Sequence, residues 1–331
     1  MSLPAGPDRA RVRVVVIGGG QNCEHEVSLA TAASVVAALD PDRYDVVALT
    51  IGADGRWCDR LGVPLAGGLA AALAIIVTGD VVFPAVHGPH GEDGTLAALC
   101  ELAQVPYVGS GVRAGALAMD KWATKLVAER LGVRTASGVL VTSATLSSAE
   151  SARTPAVVKP VQGGSSHGVS RVDRPDQLAE ALRVALELDD RVLVEEMVCG
   201  REIDIAVVEL ADGSRLVGPP LEIVVGAGSV FDTQQKYDGS ADFRLPACVS
   251  PLEHARLREA ATALFEALGC AGVARFDFFL TDGGLVLNEV NTMPGLTEQS
   301  QVPKMFASVG LPYDALLDTL LESALIHAST P

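Results

Sequence analysis

The sequence predicts an α/β fold, with a parallel sheet in its first third and mixed α and β segments after it. Three observations carry this. β-branched runs and Ala-rich helical stretches alternate between Arg11 and Leu102, the order that builds βαβ units. The first run ends in Gly18-Gly19-Gly20, the punctuation of a buried strand turning into a helix. With 331 residues, and about 150 residues per domain, the chain has room for two to three domains.

The elements follow in order. Arg11–Ile17 reads as the first buried strand, Val27–Leu39 as a helix stopped before Pro41, and Tyr44–Ile51 as the second strand. Asp80–Val86 is a third strand and Thr95–Leu102 the helix after it. In such a sheet, ligands gather at the C-terminal strand ends. Asp120–Leu131 reads as a helix with interleaved basic and apolar residues, Pro155–Pro160 as a short strand, and Val169–Val172 as another. Pro175–Leu188 is a helix and Arg191–Met197 a strand. Strands near Glu202–Leu210 and Leu221–Val225 precede a long polar segment from Gly226 to Leu245. A helix (Glu253–Leu268), a hairpin (Val273–Leu280 and Leu285–Val290 around Asp282-Gly283-Gly284) and a C-terminal helix (Tyr313–His327) complete the chain. There is no internal repeat.

Composition narrows the function. Hydrophobic residues make up 49% and charged residues 20%, which excludes global disorder and supports several cores. Gly and Pro follow no G-X-Y period, so the chain is not collagen-like. The 25 basic residues face 41 acidic ones, a formal net charge of −16. That balance argues against nucleic acid, whose phosphates demand a positive face, but permits local basic pockets for small anions. No apolar run approaches the ~18 residues of a membrane span; the longest is Leu69–Val77. Arg9, Arg11 and Arg13 precede a short apolar stretch ending in glycines, which reads as a strand and not a signal peptide. Six cysteines stand far apart with no C-x-x-C, so reduced thiols in the cytoplasm are the simplest expectation.

Several segments carry chemistry. Gly18-Gly19-Gly20 does not complete G-x-G-x-x-G, because Cys23 takes the third glycine position, and no G-K pair exists for a Walker A loop. A tight strand-to-helix turn is the plainer reading, with Glu24 and Glu26 as first-turn acids. Lys159 ends a strand and leads into Val161-Gln162-Gly163-Gly164-Ser165-Ser166-His167-Gly168. Backbone N–H groups and two hydroxyls there could wrap a polyphosphate that Lys159 neutralises; a flexible turn is the alternative. The same stretch spells G-x-S-x-G around Ser166, the nucleophile elbow, but that motif needs a helix next and Val169–Val172 reads as a strand. On the late hairpin, Arg275 and Asp277 alternate onto one face, as do Glu289 and Asn291. Such oxygens suit Mg²⁺, and without Cys or His they disfavour zinc; a solvated acidic face is the alternative. By pattern alone His87 and His90 sit in a glycine-punctuated turn, Lys121 is a surface lysine, and Lys236-Tyr237 lie on a long loop of the kind that forms lids.

Together these segments resemble the D-alanine–D-alanine ligases of the ATP-grasp superfamily. The resemblance rests on Glu24-His25-Glu26-Val27-Ser28, His87-Gly88 with Gly91-Glu92-Asp93-Gly94-Thr95, Met119-Asp120-Lys121, Val158-Lys159-Pro160 with Gly164-Ser165-Ser166, Lys236-Tyr237, Arg275-Phe276-Asp277, and Glu289-Val290-Asn291-Thr292-Met293-Pro294-Gly295. All seven run in family order over nearly the whole chain. The resemblance implies an N-terminal parallel α/β domain (11–115), followed by a central ATP-grasp subdomain (116–196) and a C-terminal one (197–328) that are both α+β. The lid loop would span 226–245, with ATP between the last two subdomains.

It also implies a reaction. One D-alanine carboxylate attacks the ATP γ-phosphate to give an acyl phosphate, and the amine of a second D-alanine displaces phosphate, for peptidoglycan synthesis. By resemblance, ATP would be bound by Lys121, Lys159, Ser165, Glu196, Glu202 and the lid residue Lys236. Two Mg²⁺ ions, for which Mn²⁺ could stand in, would sit on Asp277, Glu289 and Asn291. Glu24 would pair with the first D-alanine's ammonium, His87 and Arg275 would be among the substrate-binding residues, Arg275 and the Gly295 N–H would face the oxyanion, and Ser300 would bind the second substrate's carboxylate. Glu24, Ser165 and Tyr237 would form a network tying the first domain, the glycine loop and the lid. Tyr237 favours an amine nucleophile, because depsipeptide-forming relatives typically lack it. His167 and His90 depart from the family's usual residues. The resemblance also implies a cytoplasmic homodimer with neither nucleic acid nor membrane as partner. A D-Ala–D-X or depsipeptide ligase, or a serine acyl hydrolase using Ser166, are the alternatives.

Overall fold

The computed structural model describes residues 11–224 and 242–327; Lys236 and Tyr237 lie outside the described residues. Three sheets organise the chain. The first contains β1 (Val12–Gly19), β2 (Tyr44–Ile51), β3 (Trp57–Asp59) and β4 (Val81–Pro84) in the order β3-β2-β1-β4. β1 runs parallel to β2 and β4, and β3 antiparallel to β2. Val14, Val15, Val16 and Ile17 are all fully buried, as expected of a central parallel strand covered on both faces. Val14 and Val16 enter one core and Val15 and Ile17 another. The helices are α1 (His25–Ala38), α2 (Leu69–Ile76) and α3 (Thr95–Ala103). At the end of β1 a Cβ on Gly18 would lie 2.5 Å from that of Ala32, so the glycine run permits strand and helix to touch.

Two helices lead onward: α4 (Val112–Met119) and α5 (Lys121–Arg130). Asp120 caps α5 by accepting the Ala123 N–H at 2.9 Å and pairs with Arg191 at 2.6 Å. The second sheet is antiparallel, β5 (Gly138–Thr142), β6 (Ala156–Pro160), β7 (Ser170–Val172) and β8 (Arg191–Glu196), in the order β5-β8-β6-β7. The helix α6 (Leu178–Leu186) buries Ala181, Leu182 and Ala185 in this sheet's core.

The third sheet contains β9 (Arg201–Glu209), β10 (Arg215–Val217), β11 (Leu221–Val224), β12 (Asp242–Arg244), β13 (Val273–Thr281) and β14 (Gly284–Asn291). Its order is β12-β11-β9-β13-β14, with β10 beside β9. The helix α7 (Pro251–Leu268), opened by a Ser250–Glu253 capping box, packs Leu257, Leu264 and Phe265 against Ile203, Ile205, Phe276 and Phe278. The other sheet face sends Ala206 and Val208 into a core shared with Val14, Val16 and Phe83 of the first sheet. That core also takes Met305 and Phe306 of α8 (Gln301–Ala307) and Leu316, Leu317 and Leu320 of α9 (Tyr313–His327). First and third sheets are therefore welded through one apolar interior.

Strand and helix boundaries read from the sequence agree within a few residues for most elements. The elements β3, α2, α4, β5, β10 and α8 were not anticipated; each has eight residues or fewer, too few for a period to declare itself. The expected polar segment from Gly226 to Leu245 ends instead in β12, which pairs with β11. No described helix is long and apolar enough to cross a membrane.

Phe276 is fully buried on the face of β13 opposite Arg275 and Asp277. Phe276→Ala is expected to destabilise the fold by about 3–5 kcal/mol, seen as a lower urea midpoint.

Candidate active site

The hairpin β13–β14 forms the floor. Arg275 stands opposite Asn291 and Asp277 opposite Glu289, so period-2 alternation sends all four side chains to the face away from α7. Arg275 donates to both Asp277 oxygens, at 2.7 and 2.8 Å, and the Asn291 amide donates to Asp277 at 3.0 Å. Asp204 on β9, fully buried, lies 3.6 Å from Arg275 and accepts from Gln301 at 2.9 Å. Burial opposes the Arg275 charge, but Asp277, Asp204 and Glu289 outweigh it and raise its pKa. Among the described residues no group of three His, Cys, Asp or Glu is placed to hold a metal. Asp277, Glu289 and Asn291 instead form a set of two carboxylates and an amide. That hard-oxygen set fits Mg²⁺, which completes its shell with water and phosphate.

The opposite wall comes from the first sheet. Glu24, 7% exposed, precedes α1. Asn22 accepts the Glu24 N–H at 2.8 Å and donates to the carbonyls of His87 and Pro89. Ser165 donates to Glu24 Oε1 at 2.6 Å. A Cβ on Gly164 would lie 2.3 Å from Glu24 Oε2, and one on Gly88 2.5 Å from it. Two loops from different sheets thus converge on one carboxylate because both present glycine there. Ser165 and Ser166 both hold left-handed φ, 50° and 58°, a costly backbone state that concentrates at functional sites. A strand, β7, follows this loop, so Ser166 does not sit on a strand-to-helix elbow.

His87 joins the walls. Its Nδ1 lies 2.8 Å from the Met293 carbonyl and 3.4 Å from Glu92, and its Nε2 2.8 Å from the Thr31 hydroxyl. Burial lowers the pKa of this histidine, but Glu92 and Glu24 outweigh that and raise it. The first-sheet loop is thereby stapled to the segment Met293-Pro294-Gly295 that follows β14.

These surfaces enclose a cavity of about 590 Å³. Of the residues singled out from sequence, Glu24, His87, Lys121, Ser165, Glu202, Arg275, Asp277, Glu289, Asn291, Gly295 and Ser300 line it. Lys121 donates to the Gly163 carbonyl at 2.6 Å and lies 3.8 Å from Glu289, a site lysine where pattern alone suggested a surface one. Lys159 does not line the cavity; its ammonium turns to Glu195 at 2.7 Å. Glu196 is exposed and accepts the Ser137 N–H at 3.0 Å, also outside the lining. His90 and His167 are exposed and apart from it. Sequence reasoning passed over Asp204, Lys125 and Glu195. Asp204 was detectable by its alternation with Glu202, and Lys125 by standing four residues after Lys121 on one helix face.

A mixed sheet set bearing a lysine-flanked glycine loop above an oxygen-rich hairpin defines an ATP-dependent carboxylate–amine ligase of the ATP-grasp type. Models of the D-ala D-ala ligase C-terminus and N-terminus match residues 131–322 and residues 13–67 and 68–110. The chain belongs to the D-alanine–D-alanine ligase family. It is 40% identical to a D-alanine–D-alanine ligase of Corynebacterium aurimucosum, covering 96% of this chain and 98% of that protein. It is also 40% identical to one of Mycobacterium avium, covering 95% and 97%. Among solved structures, the VanG D-Ala:D-Ser ligase of Enterococcus faecalis superposes with a TM-score of 0.83 at 32% identity, covering 95% of this chain and all of that one. The D-alanine–D-alanine ligase of Bacillus anthracis complexed with ATP gives 0.79 at 28% identity, covering 96% and 99%.

A raised folded pKa favours the protonated histidine, so its stabilisation is complete below about pH 6.5, the ordinary histidine value, and is lost as pH rises through the folded value. The melting temperature of the native protein is expected to fall more steeply above about pH 6.5 than that of His87→Gln.

Proposed function

We propose that this ligase joins two D-alanines to D-alanyl-D-alanine for peptidoglycan precursor synthesis, with Mg²⁺ and ATP bound over the β13–β14 floor. The observation that carries the reading is one cavity in which the Glu24–Ser165 junction faces Arg275, Asp277, Glu289 and Asn291. Asp277, Glu289 and Asn291 would hold Mg²⁺, which when bound neutralises the phosphate oxygens. Lys121, Lys159, Ser165, Glu196, Glu202 and Lys236 are assigned to ATP. Glu24 takes the ammonium of the first D-alanine, with His87 beside it. The first carboxylate is then free to attack the γ-phosphate, because its own countercharge is already met. Arg275, held charged by three carboxylates, and the Gly295 N–H stabilise the oxyanion as the second amine attacks the acyl phosphate. Ser300 orients the second carboxylate; its hydroxyl lies 2.7 Å from that of Thr297. Tyr237, outside the described residues, is assigned with Glu24 and Ser165 to a network whose role would be to keep out water that would hydrolyse the acyl phosphate. The same reading makes the enzyme a cytoplasmic homodimer, checked by its sedimentation mass.

Phosphate release is expected only with ATP, Mg²⁺ and D-alanine together. In a panel of D-alanine, D-serine and D-lactate as second substrates near neutral pH, D-alanine should give the highest kcat/KM; a preference for D-serine or D-lactate rejects the product assignment. Asp277→Ala and Glu289→Ala should each lower kcat by at least about a hundredfold, and near-normal turnover in either removes the metal assignment.

A further inference from the structure

Lys125 has no part in the reaction as set out above, yet it is a buried cation beside the nucleotide machinery. It lies one turn after Lys121 on α5, and both ammoniums leave the same helix face. Lys121 reaches the glycine loop and Glu289. Lys125 reaches inward to Glu195 Oε1 at 2.6 Å and to the Ala136 carbonyl. The other oxygen of Glu195 holds Lys159 at 2.7 Å. All three residues are at most 7% exposed. One carboxylate therefore serves two ammoniums. Among the described residues the cluster keeps one net positive charge in a dry place, which is costly unless an anion compensates it.

Its backbone setting is built for this. Glu195 lies on β8 opposite Gly138 of β5, where a Cβ would come within 3.0 Å of the Glu195 side chain. Lys159 sits one residue from the end of β6, just before the glycine loop. Its position is thus set by a carboxylate that Lys125 in turn holds.

We propose that Lys125 is a positioning residue: by sharing Glu195, it leaves Lys159 with uncompensated positive charge directed to the ATP phosphates. Without Lys125 the Glu195–Lys159 pair is neutral, and Lys159 stays folded onto the carboxylate. With Lys125 present, a triphosphate supplies the missing negative charge, and Lys159 can leave Glu195 without orphaning it. The inference rests on the assignment of Lys159 to ATP made above.

The test measures binding of the non-hydrolysable analogue AMP-PNP with Mg²⁺, and of adenosine, to Lys125→Met, Lys125→Arg and Lys159→Met. Lys125→Met should weaken AMP-PNP about tenfold, the size of one lost charge-assisted interaction, and leave adenosine within about twofold. KM for ATP should rise by the same factor, with KM for D-alanine unchanged. Lys125→Arg keeps the charge and should recover most of the loss. Equal weakening of AMP-PNP and adenosine, or no weakening of either, overturns the proposal. So does a Lys125→Arg variant no better than Lys125→Met. If Lys159→Met weakens AMP-PNP but Lys125→Met does not, this inference alone falls. If Lys159→Met has no effect, the assignment of Lys159 to ATP falls, and the inference with it.

Discussion

The alternation of one strand governs the site. Phe276 and Phe278 of β13 are drawn to α7 by the burial of two large rings, and this turns Arg275 and Asp277 to the cavity. A slip of one residue would exchange the two sets, leaving rings in the cavity and charges in the core. The hydrophobic term thus sets where the charges stand, and the pairing with β14 brings Glu289 and Asn291 beside them. A register shift between Asp277 and Phe278 occurs immediately after the last polar position, so the aligned quartet itself is regular.

A second constraint is charge economy within an acidic protein. The chain carries a net −16, yet Lys121, Lys125, Lys159 and Arg275 are gathered around one region, each held by carboxylates. Their positive charge is held by neighbours in fixed geometry, so a polyphosphate would meet oriented donors in place of mobile side chains. Such a cluster concentrates cationic groups locally in a way the overall balance conceals.

The walls depend on the shared core as much as on polar contacts. Because Val14, Phe83, Ala206 and Leu317 belong to one interior, the first sheet's loops are held over the third sheet's hairpin. Only then do single bonds such as Ser165 to Glu24 and His87 to the Met293 carbonyl close the space. The weld supplies the bulk of the association, and the polar contacts select its geometry.

Much of this was legible in one dimension. Period-2 alternation in Arg275-Phe276-Asp277 and Glu289-Val290-Asn291, and a lysine ahead of a Gly/Ser run, are local signals, because strand geometry and glycine chemistry act over a few residues. Most strands and helices were visible for the same reason, whereas β3, β10 and α8 were too short to show a period. Lys121 came into the site through the Met119-Asp120-Lys121 resemblance and not through local pattern, and the direction of Lys159 and the grouping of Lys125 with Glu195 were not legible at all. They depend on α5 lying where Lys121 and Lys125 reach the glycine loop and Glu195, and on β8 pairing between β5 and β6, contacts between residues far apart along the chain that no local pattern encodes. The sequence by itself determined which chemical groups the site would contain; the tertiary structure decided which charge faces which, because electrostatic partners are chosen by proximity in space and burial.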